Sequence, residues 1–224
     1  MSDPASDRQP DSPGREPWRH VVLLGDVLLD AYSGIDKSPG KFEDDVLPRT
    51  KNWKLSVVSF DQIERAGSTL ALPRDATHAM IFIEGNHAIE QSGLLDVKPD
   101  SSGQTLANLS LVADEFEQKL DLLIRVAQAA RLVIMVCTMF APGYRDPARQ
   151  RTAFAALAIF NDRITKRAAA DRLALIDLRL TCNELEDYDK PTLLSKRGVQ
   201  KVAGVIRFAM LELDVGARRS EVFF

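Results

Sequence analysis

The sequence predicts an α/β protein in three layers, with a five-stranded parallel sheet between two layers of helices. Three features of the chain lead to this prediction: uninterrupted apolar runs of strand length, longer amphipathic segments between them, and turn-forming residues at the boundaries. An apolar run without alternation is typical of a parallel strand that is buried on both faces. Strands that alternate with helices at these lengths favour a parallel sheet covered by helices on each side.

The overall composition favours one soluble domain. The chain has 224 residues, of which 45% are hydrophobic, enough for one well-filled core. We expect the domain to span residues 19–215, between a disordered N-terminal segment at 1–18 and a tail at 216–224. The net charge is −3 and both signs are interspersed, so no nucleic-acid partner is predicted. The apolar runs are far shorter than the roughly 20 residues that span a bilayer, so no membrane partner is predicted.

The cellular setting follows from the N-terminus and the cysteines. Residues 1–18 are rich in Asp, Ser, Pro and Arg and have no apolar core, so they do not form a secretory signal. Cys137 and Cys182 have neither a CxxC motif nor a histidine at zinc spacing. We therefore predict a cytoplasmic protein with two reduced thiols and without a metal or cofactor. No pattern indicates an oligomeric state.

The first half of the domain is predicted to hold three strands and one short helix. Strands are expected at 20–25, 54–60 and 77–83, and loops at 33–51 and 93–103. The helix would follow the second strand, with Asp61 as its N-cap and its end at residue 67 or 72. His20 and His78 stand at the beginning of apolar runs and are interpreted as residues that lead into strands.

The second half alternates two strands with three helices. Residues 108–130 form an amphipathic helix by the three- and four-residue spacing of their apolar side chains. Pro147 suits the first turn of a helix that runs to residue 171, because proline needs no hydrogen-bond acceptor there. The remaining predictions are strands at 132–138 and 173–178, an irregular segment at 179–191, and a helix at 194–213 with Ser195 near its start.

A crevice is expected at one edge of this sheet. The carboxyl ends of parallel strands meet at a common edge, where ligands bind in open α/β sheets. The first strand ends in Gly25 and Asp26, the second is followed by Asp61, and the third is followed by His87. The loop at 139–146 and the segment at 187–195 should reach the same edge.

Three blocks of the sequence carry a family resemblance. They are Val-Leu-Leu-Gly-Asp-Val at 22–27, Ile-Glu-Gly-Asn-His at 83–87 and Asp-Tyr-Asp-Lys-Pro-Thr-Leu-Leu-Ser-Lys-Arg-Gly at 187–198. In sequence and in order these blocks resemble those of the SGNH (GDSL-type) hydrolases. The stretches 136–140, 146–151, 159–162 and 175–180 are similar to the second half of one bacterial branch of that family. The resemblance covers about residues 20–210, and it implies a flavodoxin-like topology and an ester hydrolase ancestry.

The resemblance also shows which catalytic positions differ. The family's serine nucleophile corresponds to Val27, which has no hydroxyl and cannot form an acyl-enzyme. Counted back from Gly198, the family's Asp-x-x-His pair falls on Lys190 and Leu193. The oxyanion glycine of the second block corresponds to Gln62, or to Gly67 if the register slips. In the third block Asn86 matches the oxyanion asparagine, whereas Glu84 replaces a glycine and His87 replaces the usual aspartate.

The residues of the crevice each allow two interpretations. Asp26 could bind a ligand, or it could accept backbone N–H groups of the following loop. Asn86 could donate to a ligand carbonyl oxygen, or it could stabilise a turn. His87 titrates near neutrality and could act as a base or a metal ligand with Asp26, Asp30 or Glu84, or it could be a hydrogen-bonded loop residue.

Other polar residues near the crevice are open in the same way. Lys190 could pair with Asp187 or Asp189, bind an anionic ligand, or remain solvated. Asp146 is expected to cap a helix, whereas the neighbouring Arg145 could clamp a carboxylate. Ser195 is interpreted as a helix cap and not as a nucleophile.

Two functional hypotheses follow. The first is a hydrolase-like protein with impaired catalysis that retains a crevice for a small ester or acyl ligand, lined by Gly25, Asp26, Val27, Asn86, His87 and Lys190. The alternative is an active esterase on a small ester or acetylated substrate, with a rebuilt site around Asp26, Asn86 and His87. A plain flavodoxin-like domain without this ancestry is a third and weaker interpretation.

Overall fold

The structure is a computed structural model that describes residues 19–25, 46–47, 53–66, 70–83, 89, 95, 101–213 and 222–223. Its strands are β1 (Arg19–Gly25), β2 (Trp53–Ser59), β3 (His78–Phe82), β4 (Val133–Cys137), β5 (Ala174–Ile176), β6 (Tyr188–Lys190), β7 (Leu193–Leu194) and β8 (Val222–Phe223). Its helices are α1 (Phe60–Ala66), α2 (Ser102–Ala129), α3 (Pro147–Asp171) and α4 (Lys196–Glu212), with a 3₁₀ turn at Leu185–Asp187.

The main sheet has the strand order β2-β1-β3-β4-β5-β8, and all neighbours are parallel. Strands β6 and β7 form a separate antiparallel hairpin. Because side chains alternate along a strand, β1 sends Val22 and Leu24 to one face and Val21 and Leu23 to the other. The first face is covered by α1, α2 and α3, and the second face is covered by α4. The predicted three-layer α/β/α class is therefore confirmed.

The described residues contain six strands in the main sheet, so the prediction of five is wrong by one. The sixth is β8, in the segment that the sequence left as an unpartnered tail. The N–H of Asp177 donates to the carbonyl of Phe223 over 2.6 Å, and the ring of Phe223 lies 6.4 Å from that of Phe208 on α4. A strand of two residues has no periodicity from which it could have been predicted.

Two helices begin earlier than the sequence suggested, because serine caps precede them. The Ser101 hydroxyl accepts the N–H of Gln104 over 3.1 Å, so α2 begins at Ser102 and not at residue 108. In α1, the Ser59 N–H donates to the Gln62 side chain over 2.9 Å, and the Gln62 N–H donates to the Ser59 hydroxyl over 3.4 Å. This reciprocal pair is a capping box. The N-cap of α1 is therefore Ser59, and the prediction of Asp61 is wrong by two residues.

The packing of α2 on α3 combines an apolar contact with ion pairs. The rings of Phe116 and Phe160 meet edge to face with 5.3 Å between their centroids. Arg163 on α3 pairs with Asp114 over 2.7 Å and also with Glu117 on α2. These contacts fix the two long helices side by side over the sheet.

Gly25 ends β1 at a position where only glycine fits. Its φ angle is +122°, and a Cβ atom there would lie 2.0 Å from the carbonyl oxygen of Phe82 on β3. The missing side chain therefore allows the two central strands to approach each other where the crevice begins.

Substitution Gly25→Ala should destabilise the protein by at least about 3 kcal/mol, since it adds both a backbone penalty and a clash with a carbonyl. Urea denaturation followed by circular dichroism measures this change. Gly204→Ala is the matched control, because a Cβ atom there meets nothing within 4 Å. On helix α4 it should be neutral or stabilise by up to about 1 kcal/mol. Equal effects of the two substitutions would contradict the role assigned to Gly25.

Candidate ligand-binding crevice

The structure describes only part of the predicted site. Gly25 and Lys190 are described, whereas Asp26, Val27, Asn86 and His87 lie outside the described residues, as do Asp30, Glu84 and Gly67. An approach of His87 to Asp26 therefore stays a prediction. The structure describes the ends of β1, β3, β4 and β5, the loop after β4, and the β6–β7 hairpin.

A polar group joins the ends of β4 and β5. The hydroxyl of Thr138 donates to Asp177 over 3.1 Å and accepts the N–H of Leu178 over 2.8 Å. Arg179 binds the same carboxylate through Nε at 2.8 Å and Nη2 at 2.5 Å. Burial alone would raise the pKa of Asp177, but these hydrogen bonds outweigh it and lower that pKa. The charged carboxylate thus links the carboxyl ends of β4 and β5.

The loop at 139–146 is fixed by two amide side chains on α3. Asn161, which is buried, accepts the N–H of Met139 over 2.8 Å and donates to its carbonyl over 3.3 Å. Gln150 accepts the N–H of Tyr144 over 2.7 Å and donates to the carbonyl of Pro142 over 2.6 Å. Each amide satisfies a donor and an acceptor of a chain that leaves the sheet.

The β6–β7 hairpin packs directly against this loop. The N–H of Gly143 donates to the carbonyl of Pro191 over 2.7 Å. The Tyr188 hydroxyl lies 2.6 Å from the carbonyl oxygen of Ala141 and 2.8 Å from that of Cys182, so it donates its proton to one of them at a time. A Cβ atom on Gly143 would lie 2.4 Å from the Tyr188 ring. The two segments therefore form one wall.

The start of α4 lies within the third resemblance block. The Ser195 hydroxyl accepts the N–H of Gly198 over 3.3 Å, so Ser195 caps the helix as the sequence indicated. A Cβ atom on Gly198 would lie 2.2 Å from the carbonyl oxygen of Asp187. Counting back from this glycine places Lys190 and Leu193 opposite each other in the hairpin. The pair offers an ammonium and an alkyl chain where a hydrolase of this kind needs a carboxylate and an imidazole.

Asp187 is a fully buried carboxylate that the sequence did not identify as central. Its Oδ2 accepts from Lys201 Nζ over 2.7 Å and from the N–H groups of Asn183 and Glu184 over 3.2 and 3.1 Å. Its Oδ1 lies 3.4 Å from Arg197 Nε. Lys201 and Arg197 are thus its ion-pair partners, in place of the suggested Lys190.

The pKa of Asp187 reflects two opposing effects. Burial raises this pKa. Hydrogen bonds from Lys201 and from the Glu184 N–H, together with the charge of Lys201, outweigh burial, so the net pKa is lowered. The carboxylate is therefore charged near neutral pH and ties α4 to the hairpin. Its role is structural, and the helix positions of Arg197 and Lys201, four residues apart, are the sequence signal that could have indicated it.

Both cysteines are buried free thiols. Cys137 lies on β4, and the thiol of Cys182 lies 3.7 Å from the carbonyl oxygen of Gly198. Burial raises the pKa of Cys137, and burial together with the Asp187 charge raises the pKa of Cys182 to about 12. Neither thiol forms a thiolate near neutral pH, so neither is a nucleophile.

The described residues provide neither a metal-binding cluster nor a membrane-spanning helix. They contain no group of three or more His, Cys, Asp or Glu side chains placed to hold a metal ion. No helix among the described ranges is long and apolar enough to cross a membrane.

Comparison with solved structures shows which fold this chain shares. No protein-family model matches the sequence, and no curated protein matches it either. Solved structures do match. The acetyl xylan esterase AlAXEase has a TM-score of 0.58 and 14% identity, with 87% of this chain and 100% of that chain covered. A lipase from a goat rumen metagenome has a TM-score of 0.59 and 13% identity, covering 85% of this chain and 97% of its own.

A GDSL-like lipase from Bacteroides thetaiotaomicron has a TM-score of 0.54 and 14% identity, with 87% and 88% of the two chains covered. The chain therefore has an SGNH/GDSL hydrolase-like fold, as the resemblance implied. Identity this low shows the fold and leaves the activity to be argued from the residues.

Substitution Asp187→Asn should destabilise the protein by about 3 kcal/mol at pH 7, because it removes one partner of a buried ion pair. The lowered pKa of Asp187 gives stability that is present above the unfolded-state pKa of about 3.9 and is lost as pH falls through the folded-state pKa. The difference in free energy of unfolding between the Asp187→Asn variant and the unsubstituted protein should thus become smaller below about pH 4. Urea denaturation at several pH values measures it.

Asp189→Asn is the control for this prediction, since Asp189 is exposed in the same hairpin. It should change the free energy of unfolding by less than about 0.5 kcal/mol. A pH-independent difference for Asp187→Asn would contradict the assigned ion pair.

Proposed function

We propose that this protein is a hydrolase-like protein whose crevice binds a small ester or acyl ligand and does not hydrolyse it by the serine mechanism. One observation carries the proposal: Val27 stands at the nucleophile position, and the pair at the Asp-x-x-His positions is Lys190 and Leu193. The cap at Ser195 and the close approach at Gly198 support that register. Loss of the nucleophile together with its base removes both partners of the proton transfer.

Retention of a binding crevice is supported by the walls around it. The loop at 139–146 is held by Asn161 and Gln150, and the hairpin is held by Tyr188 and Asp187. Walls of this kind keep their shape without a ligand, which lowers the entropy cost of binding. Lys190 is exposed on this hairpin and can attract the carboxylate of an acyl ligand.

Restoring the three positions tests whether only the catalytic groups have been lost. The variant Val27→Ser/Lys190→Asp/Leu193→His should hydrolyse p-nitrophenyl butyrate at least about 100-fold faster than Val27→Ser alone, because a serine without its base is a weak nucleophile. The measurement is release of nitrophenol by purified protein.

Turnover by the natural protein that disappears on His87→Ala would overturn this proposal. It would support the alternative of an esterase rebuilt around Asp26, Asn86 and His87. Asp26→Asn would then lower the same activity, since a carboxylate beside the imidazole orients the base.

Ligand binding is tested separately with butyrate, the acid that such an ester would release. Lys190→Gln should weaken butyrate binding about fivefold, the loss of one exposed charge contact, as measured by changes in backbone amide NMR signals. Lys196→Gln, an exposed lysine at the first turn of α4, is the control and should leave binding unchanged. No change in the signals of residues 139–146 or 188–194 at any butyrate concentration would contradict a crevice at this edge.

A further inference from the structure

A serine, a histidine and an aspartate lie in a row far from the crevice. His20 Nε2 is 2.8 Å from Ser56 Oγ, and His20 Nδ1 is 2.9 Å from Asp75 Oδ1. The three residues come from β1, β2 and the turn before β3. His20 lies five residues before Gly25 on the same strand, a separation of about 16 Å at 3.3 Å per residue.

The backbone of His20 is fixed by hydrogen bonds, which positions its imidazole. His20 is fully buried. Its N–H donates to the Thr77 hydroxyl over 2.9 Å, and its carbonyl accepts the Thr77 N–H over 2.9 Å. Asp75 lies at ion-pair distance from Nδ1 but is not aligned for a hydrogen bond with it. The negative charge of Asp75 favours the tautomer with the proton on Nδ1, which leaves the lone pair of Nε2 for the Ser56 hydroxyl proton. This order of donors and acceptors is that of a serine activated by a histidine base.

Asp75 is in the charged state that this order requires. Loss of hydration raises its pKa, but the contact with His20 and the charge of Lys54 together lower the pKa overall. Lys54 Nζ lies 3.7 Å from Asp75 Oδ2. Asp75 can therefore stabilise an imidazolium on His20.

Ser56 lines an open cavity of about 760 Å³ beside β2 and α1. Apolar walls are provided by Val58, Leu70, Leu72 and Pro73, and Gln62 and Arg65 line the same space. The apolar walls suit a short acyl group. Arg65 and Gln62 carry N–H donors of the kind that stabilise an oxyanion.

Packing of the sheet does not by itself require a histidine at position 20 or a serine at position 56. Val22 and Val58 occupy the same face of the sheet within the apolar core, so a branched apolar side chain suits this surface. A buried imidazole costs free energy unless both ring nitrogens are satisfied. Ser56 is also only partly buried and lies in the lining of the cavity.

We propose that Ser56, with His20 as its base and Asp75 as a positioning residue, is the nucleophile of a second site that hydrolyses small esters of short apolar acids. Ser56 Oγ forms a bond to the acyl carbon as its proton passes to His20 Nε2. The ester C–O bond then breaks, and His20 returns that proton to the leaving alcohol. Water next attacks the acyl carbon and gives a proton to His20, and the acid leaves as Ser56 Oγ regains a proton.

The first test is covalent labelling of the full chain with a fluorophosphonate probe, followed by peptide mass spectrometry. The expected result is one adduct, on Ser56. Ser56→Ala should lower the labelling rate by about 100-fold or more, as expected for loss of the nucleophile. Ser110→Ala is the matched control, since Ser110 is exposed on α2, and its labelling rate should equal that of the natural protein. No adduct, or an adduct on another residue, overturns the proposal.

Asp75→Asn separates catalysis from packing, because Asp75 is 53% exposed and its substitution should leave the fold intact. With p-nitrophenyl butyrate, kcat should fall by about 100-fold or more while KM is unchanged, the effect of losing the orienting carboxylate. An unchanged kcat in a folded Asp75→Asn protein overturns the proposal. The crevice is tested separately at positions 27, 87, 190 and 193. Because that test uses the same ester, those variants are assayed in the Ser56→Ala protein, which removes the contribution of this second site.

Discussion

Strand β1 imposes the constraint on which the rest of the structure depends. It is buried on both faces and pairs with β2 on one side and β3 on the other, so each of its backbone N–H and C=O groups must find a partner in one of these ladders. The register Gly25↔Ser59 and Gly25↔Phe82 brings three strand ends together at the carboxyl edge of the sheet. The same register pairs His20 with Lys54, so Ser56, two residues further along β2, lies on the same face of the sheet as His20. Both candidate sites therefore depend on the pairing of β1 with its neighbours.

The fold could be predicted because its strongest signals are local. The uninterrupted apolar runs in β1 and β4 and the periodic apolar positions of α2 each indicate their structure within a single segment. The start of α2 was also encoded locally, since Ser101 and Gln104 have the spacing of a helix cap, but the polar residues around them resembled a loop. Strand β8 exists only through its pairing with β5, and no local pattern of two residues can show that.

The candidate sites could be predicted only where one segment carries the information. The cap at Ser195 was correctly predicted, because a helix cap depends on residues close to each other in sequence. The partners of Asp187 lie on another element, so its charge pairing required the packing of α4 on the hairpin. The contact of His20 with Ser56 and Asp75 depends on the register of β1 with β2, and a lone histidine in a sequence cannot show a register.

The two buried thiols allow local opening of the protein to be measured without an added label. Cys137 is the last residue of β4, an inner strand of the sheet, and Cys182 lies beside the start of α4, so they mark different regions of one molecule. A thiol of raised pKa and no solvent contact reacts with an alkylating reagent only during a transient opening of its surroundings. The alkylation rate of Cys137 therefore measures opening of the sheet, and that of Cys182 measures opening between the hairpin region and α4.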